Sequence, residues 1–483
     1  MKLEKHYDVV IIGAGLSGCS IARELSFLDL KICVIEKSNY VCSGQSRANG
    51  AIIHAGHNEK SYKLKAKLNV EGNKLFPEFC DSLGVKFRNT GLCVIAVKYH
   101  ELKMLEELKK QGTNNGVQNL EILTVDKLLE KEPNISKDSS GALFVPAAGI
   151  VDVHKMVIAL AEHAAINGVD FFLGEKVTGF KKEASLLKEI ETDNNIYSAK
   201  MVINCAGVYS DKIAELAGDD SITIIPRKGE YYIYDKEKPE MVKRPCFPAP
   251  NPDGKGVVIF PTINGNVVFG GNSVISGSKE DTSTTVEGFS EVFTKAKKLL
   301  PLLGSKDIIT GFSGVRSSVS GEDFIIKFSE NIDNLLNVAG IDSPGLSSIP
   351  AIANYVVSLL EDKNLKLKRK EKARQTYRAK PLFKELGEKE REDLLKKNKL
   401  FGRIICRCEE ITEGDIVNAI NSPIPARTLD AIKFKTFAGA GRCQGSFDLE
   451  RIMKIMVKEL QISELEILKG DENSNIIKSY LKG

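Results

Sequence analysis

The feature that most restricts what this chain can fold into is a glycine turn close to its N-terminus. Residues 7–12 have the β-branched, apolar character of a buried strand, and Gly13-Ala14-Gly15-Leu16-Ser17-Gly18 follows directly. A helical pattern then runs over residues 19–28 and a second strand pattern over 31–35. This order, strand, tight turn, helix, strand, is that of a βαβ unit. The first glycine permits the turn, the second lets the backbone approach a diphosphate, and the third lets the helix pack on the strand. The helix N-terminus then presents N–H groups and a positive dipole end to phosphate. Glu36 closes the second strand, where a carboxylate accepts from ribose hydroxyls. A glycine turn alone is weak; in this full context it predicts a dinucleotide site at Gly13, Gly15, Gly18 and Glu36.

At 483 residues the chain is too long for one core, so two or three folding units are expected. Strand and helix patterns alternate as far as residue 360, the signature of an α/β fold. Residues 200–204 and 335–338 read as returns to the first sheet. Residues 86–97, 230–234 and 257–269 read instead as strands joined by glycine- and proline-containing turns, Asn251-Pro252-Asp253-Gly254 and Asn264-Gly265 among them. The expected architecture is a Rossmann-like nucleotide-binding domain (1–82, 146–222 and 308–362) with an inserted, mostly antiparallel β substrate domain (83–145 and 223–307). A basic linker (363–398) and a small helical module (399–483) complete it.

Composition narrows the function classes. With 42% hydrophobic and 27% charged residues the chain reads as an ordinary globular protein. Its longest apolar runs, residues 9–12 and 356–360, are far too short to cross a bilayer, and the N-terminus lacks signal-peptide character, so a cytoplasmic protein is expected. The net charge is only +4, yet residues 363–403 hold sixteen Lys/Arg against six Asp/Glu. Two readings follow: a solvated helical linker, or a docking surface for a partner subunit or an anionic membrane. No aromatic residues alternate with these charges, which sets nucleic acid aside. Seven of the ten cysteines are scattered before residue 250 in apolar surroundings and read as small core hydrophobes. Cys406, Cys408 and Cys443 are clustered and need another explanation.

Two further glycine turns favour FAD over a nicotinamide cofactor. One is Asn204-Cys205-Ala206-Gly207; the other is Ala339-Gly340-Ile341-Asp342-Ser343-Pro344-Gly345-Leu346-Ser347, which leads into a helix. Such a helix start directs N–H groups towards the flavin pyrimidine edge, where negative charge develops on reduction. Ala206, Gly207, Gly340, Gly345, Leu346 and Ser347 therefore join the cofactor candidates.

Several separate motifs carry a resemblance. They are residues 43–56 (SGQSRANGAIIHAG), Gly149-Ile150-Val151-Asp152, Arg227-Lys228-Gly229-Glu230-Tyr231, Gly254-Lys255-Gly256, Gly314-Val315-Arg316 and Ser343-Pro344-Gly345-Leu346. Over residues 1–362 the chain resembles the FAD-dependent D-amino-acid-oxidase (DAO) superfamily, most closely its glycerol-3-phosphate dehydrogenase and oxidase branch. The resemblance implies further cofactor contacts at Lys37, Ser46, Asn49 and Val177. It implies His54 as the base that takes a substrate hydroxyl proton while hydride passes to flavin N5; an imidazole with its ordinary pKa of about 6.5 suits that task. His57 competes for the role. Lys255 and Arg316, with Arg227 as a third candidate, match positions that grip an anionic substrate, by a point charge and a bidentate fork respectively.

The reaction so implied is oxidation of sn-glycerol 3-phosphate to dihydroxyacetone phosphate. An L-2-hydroxy acid such as L-2-hydroxyglutarate, or an amine or amino acid, is the alternative substrate, and a non-catalytic flavin-binding subunit is a reading of another class. One departure bears on this choice: where the branch usually shows Gly-Pro and small residues, this chain has Gly270-Gly271-Asn272-Ser273.

Residues 403–460 resemble the BFD-like [2Fe–2S]-binding module fused to anaerobic glycerol-3-phosphate dehydrogenase subunits. Cys406-Arg407-Cys408-Glu409-Glu410 and Gly439-Ala440-Gly441-Arg442-Cys443-Gln444-Gly445 carry that likeness. The family pattern ends in C-x4-C, and here Asp448 stands in the fourth position. Three expectations follow: Cys406, Cys408, Cys443 and Asp448 hold an unusual [2Fe–2S] cluster; the module is a relic without metal; or the thiolates hold zinc, although no histidine occurs after His163. With a cluster, electrons would leave the flavin for an electron-accepting partner subunit.

Overall fold

The computed structural model describes residues 4–236, 241–250, 256–363, 365 and 367–480. Two compact units emerge: Met1–Gly44, His154–Ile203 and Leu367–Gly483 form the first, and Gln45–Val153 with Asn204–Lys366 the second. The α/β class is as expected.

The first unit is built on its opening strand. Within Glu4–Ile12, Val9, Val10 and Ile11 are fully buried, which suits a strand covered on both faces. Ile32–Glu36 pairs with it in parallel, from Val9↔Ile32 to Ile12↔Ile35, and Asp170–Leu173 pairs in parallel with Ile32–Glu36 in turn. On the other side of the first strand lie Ile196–Asn204, Leu186–Thr192 and Val177–Glu183, the last three joined antiparallel. Strand order therefore reverses beside Glu4–Ile12, and in open α/β sheets ligands bind at such a reversal, beyond the strands' carboxyl ends. Helix Leu16–Leu25 packs Cys19, Ile21, Ala22 and Leu25 onto the sheet.

The basic segment departs from expectation. Rather than a solvated helical linker, its first part is an extended strap bonded along the first unit. Asp29 N–H donates to the Lys368 carbonyl at 2.7 Å, Lys370 N–H to the Phe27 carbonyl at 2.8 Å, and Arg374 N–H to Asn167 Oδ1 at 2.9 Å. His163 Nε2 meets the Arg374 carbonyl at 2.8 Å, and the Tyr377 hydroxyl donates to Glu162. Helix appears only later, at Glu388–Lys397, with none of its residues buried. Backbone groups in an extended segment must find partners, and this strap finds them on the sheet's covering helices.

The cysteine module follows, with helices Glu413–Ile420, Leu429–Thr436 and Leu449–Leu460, each of the first two started by a threonine cap, Thr412 and Thr428. Lys435 of this module pairs with Glu162, a carboxylate only 1% exposed that also accepts from Tyr377. His154 stacks on Phe434 with ring centroids 4.7 Å apart. Removing one partner of a buried ion pair leaves the other charge stranded, so Lys435→Met is expected to destabilise the protein by about 3–5 kcal/mol. Urea unfolding read by circular dichroism checks this; an unchanged midpoint would contradict it.

The second unit is dominated by a mostly antiparallel sheet. Its strands run in the order Val274–Ile275, Ile225–Tyr234, Val267–Gly270, Val258–Pro261, Cys246–Pro248, Leu92–Ala96, Gly141–Val145 and Glu121–Leu123. Among the described residues, the Cys246–Pro248 strand pairs in parallel with Leu92–Ala96. Ile308–Ser318 lies along Ile225–Tyr234 from Ile225↔Ser318 to Tyr234↔Ile308. Residues 308–318 are expected in the nucleotide-binding domain; they extend the antiparallel sheet instead, because they pair with Ile225–Tyr234 along almost its whole length. Tyr234, Ile259, Phe269 and Leu299 centre the core beneath it. Leu335–Ala339 pairs antiparallel with Ile325–Phe328 and leads to helix Gly345–Asp362. No helix among the described residues is long and apolar enough to cross a membrane.

Candidate functional site

In the first unit the glycine turn is formed as the sequence requires. Gly13 has φ +109°, a conformation that suits glycine, and its N–H donates to the Ile35 carbonyl at 2.8 Å. Gly15 occupies the N-cap of helix Leu16–Leu25 with no side chain closing the helix start, and Gly18 is buried within it. Glu36 accepts from Ala14 N–H at 2.8 Å and from Ser38 N–H at 2.9 Å. Burial pushes its carboxyl above the usual range, and those two N–H bonds oppose the push. Glu36 thus fixes the turn as well as facing it, a task the sequence did not reveal; its two oxygens retain acceptor capacity for hydroxyl donors. Lys37 beside it is exposed, and Val177 is buried at the start of its strand. An open helix start and a pinned glycine turn fit a dinucleotide phosphate.

In the second unit Gln45 ties two of the expected cofactor segments together. Gln45 Nε2 donates to the Ile341 carbonyl at 3.0 Å, and its Oε1 accepts from Ser317 N–H at 3.1 Å. Ser46 lies in the same short 3-10 turn, Gln45–Ala48, which rests on Gly314; a Cβ there would come within 2.4 Å of the Ala48 Cβ. Asn49 Oδ1 accepts from Ala51 N–H at 2.7 Å and holds Ala51 at φ +54°. A non-glycine residue in that region costs about 1–3 kcal/mol, a strain that surrounding structure must sustain. Ala206 N–H bonds to Asn204 Oδ1 at 3.3 Å, and Gly207 (φ +58°) and Gly340 (φ +67°) make the two later turns. Helix Gly345–Asp362 starts without a side-chain cap, with Gly345, Leu346 and Ser347 buried.

His54 is positioned through its backbone. Its N–H donates to Ser347 Oγ at 2.7 Å, and its carbonyl accepts from Asn69 Nδ2 at 3.0 Å and Asn73 Nδ2 at 3.1 Å. Its half-buried ring lies 5.6 Å from the Phe247 ring and 6.5 Å from that of His57. Both histidines line a partly open cleft with Phe247, Pro248, Ser343 and Pro344. His57 is the more buried, at 4% exposure, and packs against Gly112 of helix Leu102–Asn114. Ser347, expected only as a cofactor contact, is therefore also the residue that holds His54; Asn69 and Asn73 escaped the sequence reading, since nothing local ties an asparagine on a helix to a distant carbonyl.

Arg227 and Arg316 stand directly opposite each other on adjacent strands. Like charges so placed repel, and an anion between or beside them relieves that repulsion. Arg316 donates through Nη1 to the Asn272 carbonyl at 3.0 Å and through Nη2 to the Tyr231 hydroxyl at 3.1 Å, which leaves further guanidinium N–H groups for a ligand. It crosses Gly229, where an added Cβ would sit 2.2 Å from Nη2. Asn272 is itself fixed by accepting from Glu230 N–H at 2.8 Å. The departure noticed at Gly270-Gly271-Asn272-Ser273 thus supplies a support for the arginine. Tyr231 stacks on Phe312 and shares a hydrophobic cluster with Phe247, the ring beside His54. Arg227, Gly229 and Tyr231 share one face of their strand because side chains alternate along it with a period of two. Lys255 lies outside the described residues.

In the C-terminal module Cys406 is buried, Cys443 half-buried and Cys408 exposed. The Cys408 sulfur faces the backbone N–H and the thiol of Cys443. Gly439 N–H points at Cys406 Sγ from 3.4 Å, and a Cβ on Gly441 would come within 2.4 Å of the Cys408 Cβ. Among the described residues no three His, Cys, Asp or Glu side chains are arranged to hold a single metal ion. A two-iron cluster distributes its protein ligands over two metals, so its donors need not converge on one point. Thiols in a glycine cradle with N–H groups aimed at sulfur fit such a cluster.

Residues 8–359 match the family model "FAD dependent oxidoreductase" (DAO), and residues 404–456 match "BFD-like [2Fe-2S] binding domain". A glycerol 3-phosphate dehydrogenase of Caloramator mitchellensis is 44% identical over 471 residues, 98% of each chain. An L-2-hydroxyglutarate dehydrogenase of Indibacter alkaliphilus is 30% identical over 395 residues, covering 72% of this chain and 98% of the relative. Among solved structures, dithionite-reduced L-alpha-glycerophosphate oxidase from Mycoplasma pneumoniae with FAD bound superposes with a TM-score of 0.73 at 29% identity, covering 77% of this chain and 98% of that one.

Proposed function

Because this chain belongs to the DAO family of FAD-dependent oxidoreductases, we propose that it oxidises sn-glycerol 3-phosphate to dihydroxyacetone phosphate. The observation that carries this reading is the facing Arg227–Arg316 pair in the unit that also holds the His54 cleft. FAD supplies, when bound, an acceptor at flavin N5 for the hydride on the carbinol carbon. Arg316, held by Asn272 and Tyr231, grips the phosphate through its remaining N–H groups, with Arg227 adding charge, and so fixes the substrate's orientation. His54 takes the hydroxyl proton, its placement set by Ser347, Asn69 and Asn73. The apolar wall of Phe247 and Pro248 limits water in the cleft. A [2Fe–2S] cluster, if held by Cys406, Cys408 and Cys443, would supply one-electron redox chemistry and so an exit for the electrons towards an accepting partner.

The second reading, an L-2-hydroxy acid with its carboxylate on Arg316, is favoured by the likeness to L-2-hydroxyglutarate dehydrogenase. Anaerobic mixing of the purified protein with each compound separates the two. Loss of the flavin absorbance with glycerol 3-phosphate and not with L-2-hydroxyglutarate is expected; the reverse pattern overturns the proposal.

A further inference from the structure

Asp448 is the N-cap residue of helix Leu449–Leu460, the position where an aspartate ordinarily accepts from the first-turn N–H groups. Here it makes no such cap. Its carboxylate is 1% exposed, and neither oxygen has a hydrogen-bond partner among the described residues. Burying a carboxylate without partners is among the most costly arrangements a fold can hold, and charged groups so placed are usually paired or coordinate metal. The nearest thiol neighbour is Cys406, whose side chain faces the carboxylate. Gly445, at φ +87°, brings the backbone alongside: a Cβ there would lie 3.5 Å from Asp448 Oδ1.

We propose that Asp448 ligates iron as the fourth protein donor, with Cys406, Cys408 and Cys443, of a [2Fe–2S] cluster in which one ligand is oxygen rather than sulfur. The orphaned oxygens, the cysteine neighbours and the glycine cradle all place the donor where the family pattern has a thiolate. Ferric iron is a hard ion and accepts a carboxylate, while the three thiolates meet the cluster's softer demand. The inference is independent of which alcohol the flavin site oxidises.

The test uses the full chain, reconstituted anaerobically with isotopically enriched iron and sulfide and examined by Mössbauer spectroscopy. An oxygen donor gives less covalent electron density to its iron, so two ferric sites with unequal isomer shifts are expected. In Asp448→Cys the two shifts should approach each other. Asp448→Asn keeps the side chain's shape but loses its charge, and should lower cluster iron by at least about tenfold, since losing even an outer-shell partner weakens metal binding 10–100-fold. FAD content and the thermal unfolding midpoint separate this loss from misfolding. Two equivalent iron sites in the wild type, an Asn variant that retains the wild-type cluster, or zinc bound where iron is not, each overturns the proposal. Flavin bleaching by glycerol 3-phosphate, measured on the same samples, reports on the substrate reading separately.

Discussion

His54→Ala is expected to slow flavin bleaching by glycerol 3-phosphate by about 10²–10⁴-fold, the usual contribution of a positioned general base. FAD content should not change. The reason lies in how the residue is held: Ser347, Asn69 and Asn73 bond to its backbone N–H and carbonyl, so truncating the ring leaves all three bonds available. The defect should therefore appear in the reductive rate constant and not in cofactor retention or stability. His57→Ala supplies the control. That side chain is buried at 4% exposure, so its loss should be felt first in the unfolding midpoint. If the two variants exchange these phenotypes, the base is His57.

Arg316→Gln is expected to lower kcat/KM for glycerol 3-phosphate by roughly 10–150-fold, from the loss of one charge-assisted contact of about 1.5–3 kcal/mol. Arg316→Lys should recover little, because an ammonium cannot reproduce the fork that meets Asn272, Tyr231 and a ligand together. Gly229→Ala should mimic the loss from a distance. Its new methyl would occupy the path of the guanidinium, 2.2 Å from Nη2, and also crowd the Asn272 carbonyl at 2.7 Å. Steady-state kinetics on the three variants decide the matter. A Gly229→Ala enzyme with unchanged KM would show that Arg316 does not use this route to the substrate.

Much of this was legible in residue order because the signals were local. Gly13, Gly15, Gly18 and Glu36 fall within one βαβ unit, and the unit formed as read. What escaped depends on contacts between residues far apart in the chain. Ile308–Ser318 reads equally well as a strand of either sheet until its register with Ile225–Tyr234 is known. The grip of Ser347 on His54 spans almost the whole second unit, and no spacing rule connects a serine to a backbone N–H so distant. The basic segment misled for a different reason. Its charge suggested solvent, but its backbone was satisfied by Phe27, Asn167 and His163, and lysine and arginine stems lie readily along a surface while their heads remain wet.

That strap carries a consequence for how the protein is made. The first unit draws on three stretches of chain, and its last, from residue 367 onward, is the final one to leave the ribosome. Synthesis at about 5–20 residues per second leaves roughly a quarter of a minute to a minute between the emergence of residue 44 and that of residue 367. Throughout that interval the nascent glycine-turn segment lacks the strap that closes on Phe27 and Asp29 and the lysine that meets Glu162. The second unit, continuous but for residues 154–203, has all its own strands out before then. Ribosome-bound chains stopped short of the strap should accordingly show a protease-resistant second unit and a cleavable first one, and a stop codon late in the reading frame would harm most the first 44 residues and residues 154–203, far from the truncation itself.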